Sequence, residues 1–173
     1  GFPSDGRHLV RMGGSGCGRS SVGTAFSGLT GIAYRDGDDL HSAQNVAKMQ
    51  SGTPLTDDDR RPWLQSCGTA LRDAPDGLIL GCSALRRRYR DILRESSGLP
   101  DLRFVLLDGS EALLLERVNA RKGHYMPASL LRSQLDTLER PGADENAVSV
   151  SIDQPVEDIA RAVLAAPANG DHA

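Results

Sequence analysis

Short apolar segments alternate with helical patterns along the whole chain. The apolar segments lie at 8–12, 32–34, 78–80 with Cys82, 104–107 and 148–152. The helical patterns lie near 18–28, 41–51, 59–73, 84–96, 110–121, 127–138 and 155–165. This alternation predicts an α/β fold with a mostly parallel sheet. Right-handed crossovers would place helices on both faces of that sheet.

Three of the predicted strands end in segments rich in polar side chains. Residues 13–21 follow the first strand, 36–41 the second and 82–91 the third. Parallel sheets bind ligands beyond the carboxyl ends of their strands. We therefore expect these three segments to form one cleft.

The first of these segments is a glycine-rich loop that approaches the phosphate-loop pattern G-x-x-x-x-G-K-[ST]. Its glycines let successive backbone N–H groups point at one anion, and the following helix N-terminus adds partial positive charge. The predicted nucleotide-binding residues are Gly13, Gly14, Ser15, Gly16, Cys17, Gly18, Arg19, Ser20 and Ser21. The hydroxyl of Ser20 is a predicted Mg²⁺ ligand. The alternative, a glycine-rich turn without a ligand, leaves four glycines within residues 13–18 unexplained.

Arg19 stands where the pattern has lysine. A guanidinium is longer and planar, whereas a lysine ammonium is a compact point charge, so the two are not equivalent on a phosphate. By analogy with the loss of one transition-state donor, the exchange could cost on the order of 3 kcal/mol, roughly a hundredfold in rate. Phosphate binding could persist while transfer slows.

Composition narrows the class of protein. The 173 residues are 39% hydrophobic and 25% charged, which is typical of one globular domain. A net charge of −3 gives no basic surplus for nucleic acid. No apolar segment reaches the roughly 18 residues of a membrane span, and residues 1–7 lack a signal-peptide pattern. Cys17, Cys67 and Cys82 form no C-x-x-C pair, which is typical of a reducing cytosol rather than a disulfide framework or structural zinc site.

Domain organisation is simple. We expect one domain over residues 8–165. Residues 1–7 are expected to be disordered or a remnant of preparation, and residues 166–173 a frayed tail. The sequence shows no internal repeat and no low-complexity segment.

Five segments together resemble the thermoresistant type of gluconate kinase (gluconokinase), a family of small P-loop kinases related to shikimate and adenylate kinases. The segments are D-G-D-D-L-H at 36–41, N-V-A-K-M-Q-S-G-T-P-L-T-D-D-D-R-R-P-W-L at 45–64, C-S-A-L-R-R-R-Y-R-D-I-L-R at 82–94, R-K-G-H-Y-M-P-A-S-L-L-R-S-Q-L-D-T-L-E-R-P at 121–141 and S-I-D-Q-P at 151–155. They keep the family's order and spacing over residues 8–165.

The resemblance implies a three-layer α/β/α P-loop fold with a five-stranded parallel sheet in the order 2-3-1-4-5. It also implies a helical lid over about 117–135. The implied activity is ATP-dependent phosphorylation of D-gluconate at its 6-hydroxyl, which gives 6-phosphogluconate and ADP. Mg²⁺, a cytoplasmic setting and a homodimer are implied as well, with no nucleic-acid or membrane partner.

For the turn after the second strand, the resemblance implies that Asp38 orients or deprotonates the accepting hydroxyl and that Asp36 supports the metal. Phosphoryl transfer needs one such carboxylate beside the nucleophile. Capping of a turn by these aspartates is the alternative. His41 either contacts substrate or only starts the next helix.

Basic side chains are the other candidates for binding gluconate. Arg60 can hold a carboxylate through two parallel hydrogen bonds, although the neighbouring aspartates 57–59 are also typical of plain helix capping. Ser83, Arg86 and Arg90 follow the third strand on the expected substrate side, unless they form an ordinary basic helix face. Trp63 is expected to be a packing residue.

The implied lid carries Arg117 on the adenine, Arg121 on the phosphates as a catalytic cation, and His124 on the substrate. Lid cations of this kind exclude water and neutralise developing charge. Solvated helix charges are the alternative. Pro155 would form the other side of the adenine slot, and it also suits the first turn of a helix.

Several residues depart from the family pattern. Arg11 and Arg35 occupy strand positions where relatives are apolar, Gly81 replaces a bulky residue, and Gly23 weakens the first helix. If Gly81 lies between the two arginines, it leaves room for them. We hypothesise that one arginine reaches the cleft and partly replaces the missing lysine.

Three functions stay open at this point. The first is an active gluconokinase. The second is an impaired homologue, suggested by Arg19, that binds its ligands and acts as a regulator. The third is a kinase for another sugar acid.

Overall fold

The computed structural model describes residues 8–13, 19–53, 55–99, 102–119 and 128–165. Within them the strands are β1 His8–Met12, β2 Tyr34–Asp36, β3 Leu78–Gly81, β4 Arg103–Asp108 and β5 Ala147–Ser151. The α-helices are α1 Arg19–Thr30, α2 Ala43–Gln50, α3 Asp57–Arg72, α4 Arg87–Ser97, α5 Glu111–Asn119, α6 Ala128–Thr137 and α7 Val156–Ala165. Short 3₁₀ helices span Gly37–Leu40 and Ala143–Glu145.

The five strands form one parallel sheet in the order β2-β3-β1-β4-β5, which confirms the predicted order. β1 lies at the centre between β3 and β4, so the segment that follows it leaves the middle of the sheet. The segments after β2 and β3 leave the same edge. The topology therefore brings the three predicted polar segments to one side of the molecule.

Apolar side chains cover both faces of the sheet, as expected for parallel strands. On the face under α3 and α4 the core includes Val10, Leu80, Phe104, Leu64 and Leu93. On the face under α1, α5, α6 and α7 it includes Leu9, Ile79, Val105, Phe26, Leu114, Leu131 and Ile159. The fold is thus the predicted three-layer α/β/α arrangement.

Three helices begin at residues other than those that the hydrophobic pattern predicts, and side-chain caps set two of these starts. α2 begins at Ala43 because the Ser42 side chain accepts a hydrogen bond from Asn45 N. α3 begins at Asp57 because Thr56 and Asp59 form a reciprocal capping box. α4 begins at Arg87, three residues later than predicted, because Ala84 adopts a left-handed backbone with φ +44°.

β2 begins two residues later than predicted. Ile32 is buried in the core, but it precedes the strand, which spans Tyr34–Asp36 only. β2 is an edge strand, and its Arg35 is exposed and pairs with Leu80. The expectation that Arg35 is buried beside Gly81 is therefore wrong.

Arg11 is the arginine that uses the space at Gly81, and it is only 1% exposed. Its Nη2 donates to the Tyr34 hydroxyl at 2.9 Å, and its guanidinium carbon lies 5.4 Å from the Tyr34 ring centroid. A Cβ on Gly81 would lie 2.5 Å from the Tyr34 hydroxyl oxygen and 2.8 Å from Arg11 Nη2. A Cβ on Gly23 would lie 2.2 Å from the Tyr34 ring. The departures at these positions are thus one packing unit, which we call the Tyr34 cluster (Arg11, Gly23, Tyr34 and Gly81).

Two of the cysteines are packing residues, as predicted. Cys67 of α3 and Cys82 after β3 are both 0% exposed. They are hydrogen-bonded to each other, and this bond together with burial raises the pKa of the Cys67 thiol. Cys17 lies outside the described residues.

Candidate functional site

The ends of β1 and β3 are joined by backbone hydrogen bonds. Cys82 N donates to Arg11 O at 3.1 Å, and Gly13 N donates to Ser83 O at 3.2 Å. Gly13 has φ +133°, a conformation that favours glycine, so the chain turns there out of the sheet. The start of the predicted phosphate loop is therefore held directly beside Ser83.

Most of the predicted phosphate loop lies outside the described residues. This applies to Gly14, Ser15, Gly16, Cys17 and Gly18. Arg19, Ser20 and Ser21 form the first turn of α1, and the structure describes their backbone only. Backbone N–H groups at the start of this 12-residue helix are in the position that an anion requires.

The turn after β2 is fixed by two hydrogen bonds and by its close packing against β3. The Asp36 Oδ1 accepts a hydrogen bond from Asp38 N at 2.9 Å, so the capping alternative for Asp36 is observed. Trp63 of α3 donates from its Nε1 to Gly37 O at 2.8 Å. A Cβ on Gly37 would lie 2.7 Å from the Gly81 carbonyl oxygen, so only glycine fits there. Asp38, the second residue of this turn, is exposed.

His41 continues the same site. Its ring stacks on Trp63 with ring centroids 4.2 Å apart, and its Nδ1 lies 3.3 Å from Asn45 Nδ2. Burial lowers the pKa of His41. The negative charge of Asp38 partly opposes this shift, and the positive charge of Arg60 adds to it. The contacts that hold the His41 ring are the stacking on Trp63 and the contact with Asn45.

Asn45, Lys48 and Asp59 fasten α2 to α3. Asn45 is buried and donates from Nδ2 to Asp59 O at 2.9 Å. Lys48 Nζ contacts both carboxylate oxygens of Asp59, at 3.0 and 2.9 Å. Hydrogen bonds from Thr56 and Lys48 lower the pKa of Asp59. The capping interpretation thus holds for Asp59, whose carboxylate is structural.

Arg60 lies in a polar network that joins α3 to α4. Its Nη1 donates to the Tyr89 hydroxyl at 3.1 Å, and its guanidinium carbon lies 5.6 Å from the Tyr89 ring centroid. The Tyr89 hydroxyl donates to Asp57 Oδ1 at 2.7 Å, and Arg88 Nη1 lies 3.1 Å from Asp57 Oδ2. Burial and the bond to Asp57 raise the pKa of Tyr89, and that bond lowers the pKa of Asp57. Arg60 remains partly exposed, with 34% of its side chain accessible.

The structure corrects the prediction for Arg90. This residue is 0% exposed, and its Nε donates to Glu145 Oε1 at 2.7 Å. Its Nη1 donates to Ala84 O at 2.8 Å and its Nη2 to Glu139 O at 2.7 Å. Because all three nitrogens are bound inside the protein, the Arg90 guanidinium is not exposed to a ligand in the cleft. It holds the left-handed turn at Ala84, next to Ser83.

Glu145 is the buried acid that balances this region. Arg94 Nη2 also donates to its Oε1, at 2.6 Å, and Gly142 N donates to its Oε2 at 2.9 Å. Burial alone would raise the pKa of Glu145, but the hydrogen bonds from Arg90, Arg94 and Gly142 lower it to about 2. Arg86 precedes α4 and is partly exposed, so it stays a substrate candidate together with Ser83.

Arg117 contacts the segment that follows β5, the edge strand on the opposite side of the sheet from β2. Arg117 Nη2 donates to Ile152 O at 3.1 Å. Pro155 precedes α7, and its carbonyl accepts from Asp158 N and Ile159 N, so its helix-start interpretation is observed. The segment between β5 and α7 therefore contains one of the two predicted adenine contacts and accepts a hydrogen bond from the other. Arg121 and His124 lie outside the described residues.

Oxygen ligands for a cation are few in the part of the chain that the structure describes. No group of three or more His, Cys, Asp or Glu side chains there could hold a metal ion. Mg²⁺ in kinases commonly binds one or two protein oxygens together with phosphates and waters. The carboxylate of Asp36 and the hydroxyl of Ser20 are donors that suit such an ion. No helix in the described residues is long and apolar enough to span a membrane.

Sequence reasoning did not single out Tyr89, Asp57 or Glu145 as partners of the site. Tyr89 and Leu93 are four residues apart, a spacing that indicates a buried helix face but no partner for the hydroxyl. Asp57 lies in a run of three aspartates that indicates a helix cap and no contact with Tyr89. No local pattern pointed to Glu145, which meets Arg90 from 55 residues away.

Curated proteins provide clear similarities. The gluconokinase of Gluconobacter oxydans (strain 621H) is 49% identical over 148 residues, which span 84% of this chain and 82% of that protein. The thermoresistant gluconokinase of Escherichia coli (strain K12) is 44% identical over 163 residues, 90% of each chain. No protein-family model matches the chain.

Solved structures agree with these similarities. A gluconokinase from Sinorhizobium meliloti 1021 matches with a TM-score of 0.82 and 48% identity, over 91% of this chain and 89% of that one. A shikimate kinase from Acinetobacter baumannii, solved with shikimate, matches with a TM-score of 0.56 and 18% identity, over 91% and 90%. The second match shows a shared fold alone.

Proposed function

Since the chain belongs to the gluconokinase family, we propose that it transfers the γ-phosphoryl group of ATP to the 6-hydroxyl of D-gluconate. The products are 6-phosphogluconate and ADP. The observation that carries this function is the 44–49% identity to gluconokinases over more than four fifths of the chain. The same fold and the same order of site segments support it. No observation favours the impaired homologue or a different sugar acid.

ATP would be held where β1 leaves the centre of the sheet. Backbone N–H groups of residues 13–18 and the start of α1 would bind its phosphates, with Arg19 as the cation on them. Arg117 and Pro155 would contact the adenine, which is supported by the hydrogen bond from Arg117 to Ile152 O, three residues before Pro155. Arg121 would close over the phosphates from the lid. Ser20 and Asp36 would hold Mg²⁺, which neutralises phosphate charge when it is bound.

Asp38 is the proposed catalytic carboxylate. Its backbone is fixed by Asp36 and its turn by Trp63, while its own side chain is exposed. It would accept the proton of the 6-hydroxyl as that oxygen forms its bond to the γ-phosphorus. The bond from the γ-phosphorus to the bridging oxygen then breaks, and ADP leaves with the electron pair.

Arg60 is the proposed partner of the gluconate carboxylate, because a guanidinium binds a carboxylate with two parallel hydrogen bonds. His41, Ser83, Arg86 and His124 would bind the hydroxyl groups of the sugar acid. Arg60 and His41 lie close enough for the charge of one to affect the other, which supports a shared pocket with Asp38. A homodimer and a cytoplasmic setting complete the proposal, and both rest on the family resemblance.

The direct test measures ATP-dependent 6-phosphogluconate formation by the parent and by Arg19→Lys and Asp38→Asn variants. We expect the parent to turn over, and Asp38→Asn to lose on the order of a hundredfold or more in kcat, as for loss of a general base. A panel of other sugar acids should be phosphorylated less efficiently than gluconate. A silent parent with an active Arg19→Lys variant would overturn the proposal in favour of an impaired homologue.

A further inference from the structure

The Tyr89 hydroxyl lies between a cation and an acid. It is 3.1 Å from Arg60 Nη1 and 2.7 Å from Asp57 Oδ1. A carboxylate only accepts hydrogen bonds and a guanidinium only donates them, so the single tyrosine proton points to Asp57 and a lone pair faces Arg60. The hydroxyl therefore has one arrangement that satisfies both neighbours.

This arrangement restrains Arg60 from two directions. Tyr89 is 8% exposed, its ring lies under the guanidinium, and its hydroxyl accepts a hydrogen bond from Nη1. The bond to Asp57 fixes the hydroxyl in turn, and Arg88 from α4 contacts the second oxygen of that carboxylate. Tyr89 is itself anchored because α4 packs on the same core as α3.

The restrained guanidinium belongs to the same face of the molecule as the catalytic turn. Arg60 lies one helical turn before Trp63 on α3. Trp63 stacks on His41 and binds the Gly37 carbonyl, one residue before Asp38. A single helix thus sets the position of Arg60 relative to Asp38.

We propose that Tyr89 is a positioning residue that determines specificity for a carboxylate at the far end of the substrate. It does so by holding Arg60 at a fixed distance from the catalytic turn. Gluconate has its carboxylate and its 6-hydroxyl at opposite ends of one chain, so a fixed Arg60 places the hydroxyl at Asp38. This inference rests on the proposed function and deepens it.

The test compares Tyr89→Phe with the parent by measuring kcat and KM separately for gluconate and for ATP. Tyr89→Phe keeps the ring and removes only the hydroxyl. We expect the KM for gluconate to rise about tenfold, the size expected for a lost hydrogen bond to a charged group, with the KM for ATP unchanged. Arg60→Gln should raise the KM for gluconate at least as much.

Tyr34→Phe is the matched control. It makes the same chemical change in a second arginine–tyrosine hydrogen bond, on the opposite face of the sheet. Both KM values should stay at the parental level in this variant. Asp57→Asn provides a second arm, and its effect on the gluconate KM should be much less than additive with that of Tyr89→Phe, because both act through one network.

A neutral polyol of the same length, D-glucitol, separates positioning of a carboxylate from general damage. Tyr89→Phe should lower kcat/KM for gluconate and leave kcat/KM for glucitol unchanged. An unchanged gluconate KM in Tyr89→Phe, or equal losses for both substrates, would overturn the inference while the proposed function stands. Absence of 6-phosphogluconate from the parent would instead overturn the proposed function. If Tyr89→Phe fails to fold, the same comparison of gluconate with glucitol is made with Asp57→Asn. Equal losses for both substrates in that variant would overturn the inference.

Discussion

The two faces of the sheet use the same pair of side chains in opposite ways. On the α1 face, Arg11 donates to the Tyr34 hydroxyl at 2.9 Å and is 1% exposed. On the α3–α4 face, Arg60 donates to the Tyr89 hydroxyl at 3.1 Å and keeps 34% of its side chain exposed. The chemistry of the contact is similar, but only the second arginine can meet a solute.

The surroundings of each pair explain the difference. Gly23 and Gly81 provide the space for the Tyr34 ring and the Arg11 guanidinium, so the first pair fills volume inside the fold. In the second pair, the Tyr89 hydroxyl donates its proton to the carboxylate of Asp57. Its oxygen therefore accepts the hydrogen bond from Arg60, whose guanidinium is held in place while it stays partly exposed. A buried arginine–tyrosine contact is therefore a matter of packing, whereas a contact completed by a carboxylate at the surface can position a binding group.

A second acid, Glu145, forms ion pairs on the α3–α4 face away from Tyr89. Glu145 receives hydrogen bonds from both Arg90 and Arg94, and Arg90 in turn holds the backbone at Ala84. Loss of this acid would leave the buried Arg90 without its carboxylate, whereas Arg94 would keep its contact with Asp91. The comparison thus predicts that loss of an acid destabilises the α3–α4 face, whereas added volume destabilises the α1 face.

The largest effect is expected from Glu145→Gln. Removal of one partner of a buried ion pair typically costs about 3–5 kcal/mol, because the remaining charge stays buried. Chemical denaturation of the parent and variant measures this difference. Glu95→Gln changes an exposed glutamate on α4, the helix that carries Arg90 and Arg94, and should stay within about 0.5 kcal/mol of the parent. A similar small effect of Glu145→Gln would show that the α3–α4 face does not depend on its acids.

The second effect is a loss of stability in acid. The pKa of Glu145 is lowered from 4.5 to about 2 in the folded state. Its contribution to the free energy of unfolding is thus fully present above pH 4.5 and is lost as the pH falls toward 2, by up to about 3 kcal/mol. Denaturation curves of the parent between pH 5 and 2, compared with those of Glu145→Gln, isolate this part. A variant with the same pH slope as the parent would exclude Glu145 as its source.

The third effect concerns the Tyr34 cluster. Gly23→Ala places a Cβ 2.2 Å from the Tyr34 ring and should destabilise by about 1–3 kcal/mol through overpacking. Gly28→Ala is the same change in the same helix with nothing within 4 Å, and it should stabilise by about 0.5–1 kcal/mol. Thermal denaturation of both variants gives the signs. If Gly23→Ala is as stabilising as Gly28→Ala, the cluster is not tightly packed.

The smallest effect is expected at the start of α3. Thr56→Ala removes one half of the capping box and should cost about 1 kcal/mol. Because that helix carries Asp57 and Arg60, the gluconate KM should rise slightly as well, whereas the ATP KM should not. Thr53→Ala, at an exposed threonine just before the helix, is the control for the substitution itself. Equal stability of the two variants would mean that Asp59 alone caps the helix.

The sheet could be predicted because its signals are local. Five short apolar segments separated by helical patterns fix a parallel sheet, and the family resemblance fixes its strand order. β2 was placed two residues early because Ile32 is buried although it lies outside the strand. Burial and strand membership usually coincide, and at this edge they do not.

The contacts of the site were harder to predict because their partners are distant in sequence. Arg86 and Arg90 are one helical turn apart, which suggests one basic face, but Arg90 meets Glu145 across 55 residues. Tyr89 meets Arg60 and Asp57 across 29 and 32 residues. Nothing in the spacing of residues 82–94 distinguishes the arginine that turns inward from the one that remains outside.

Cys67 and Cys82 offer a way to follow motion at the site. Both thiols are 0% exposed, and Cys67 lies on α3 beside the turn that Trp63 fastens. The Cys67 thiol is buried beside Gly37 of the turn that carries Asp38, so we expect its alkylation to require an opening that loosens this turn as well. The rate of Cys67 alkylation would therefore report how often the turn that carries Asp38 opens transiently.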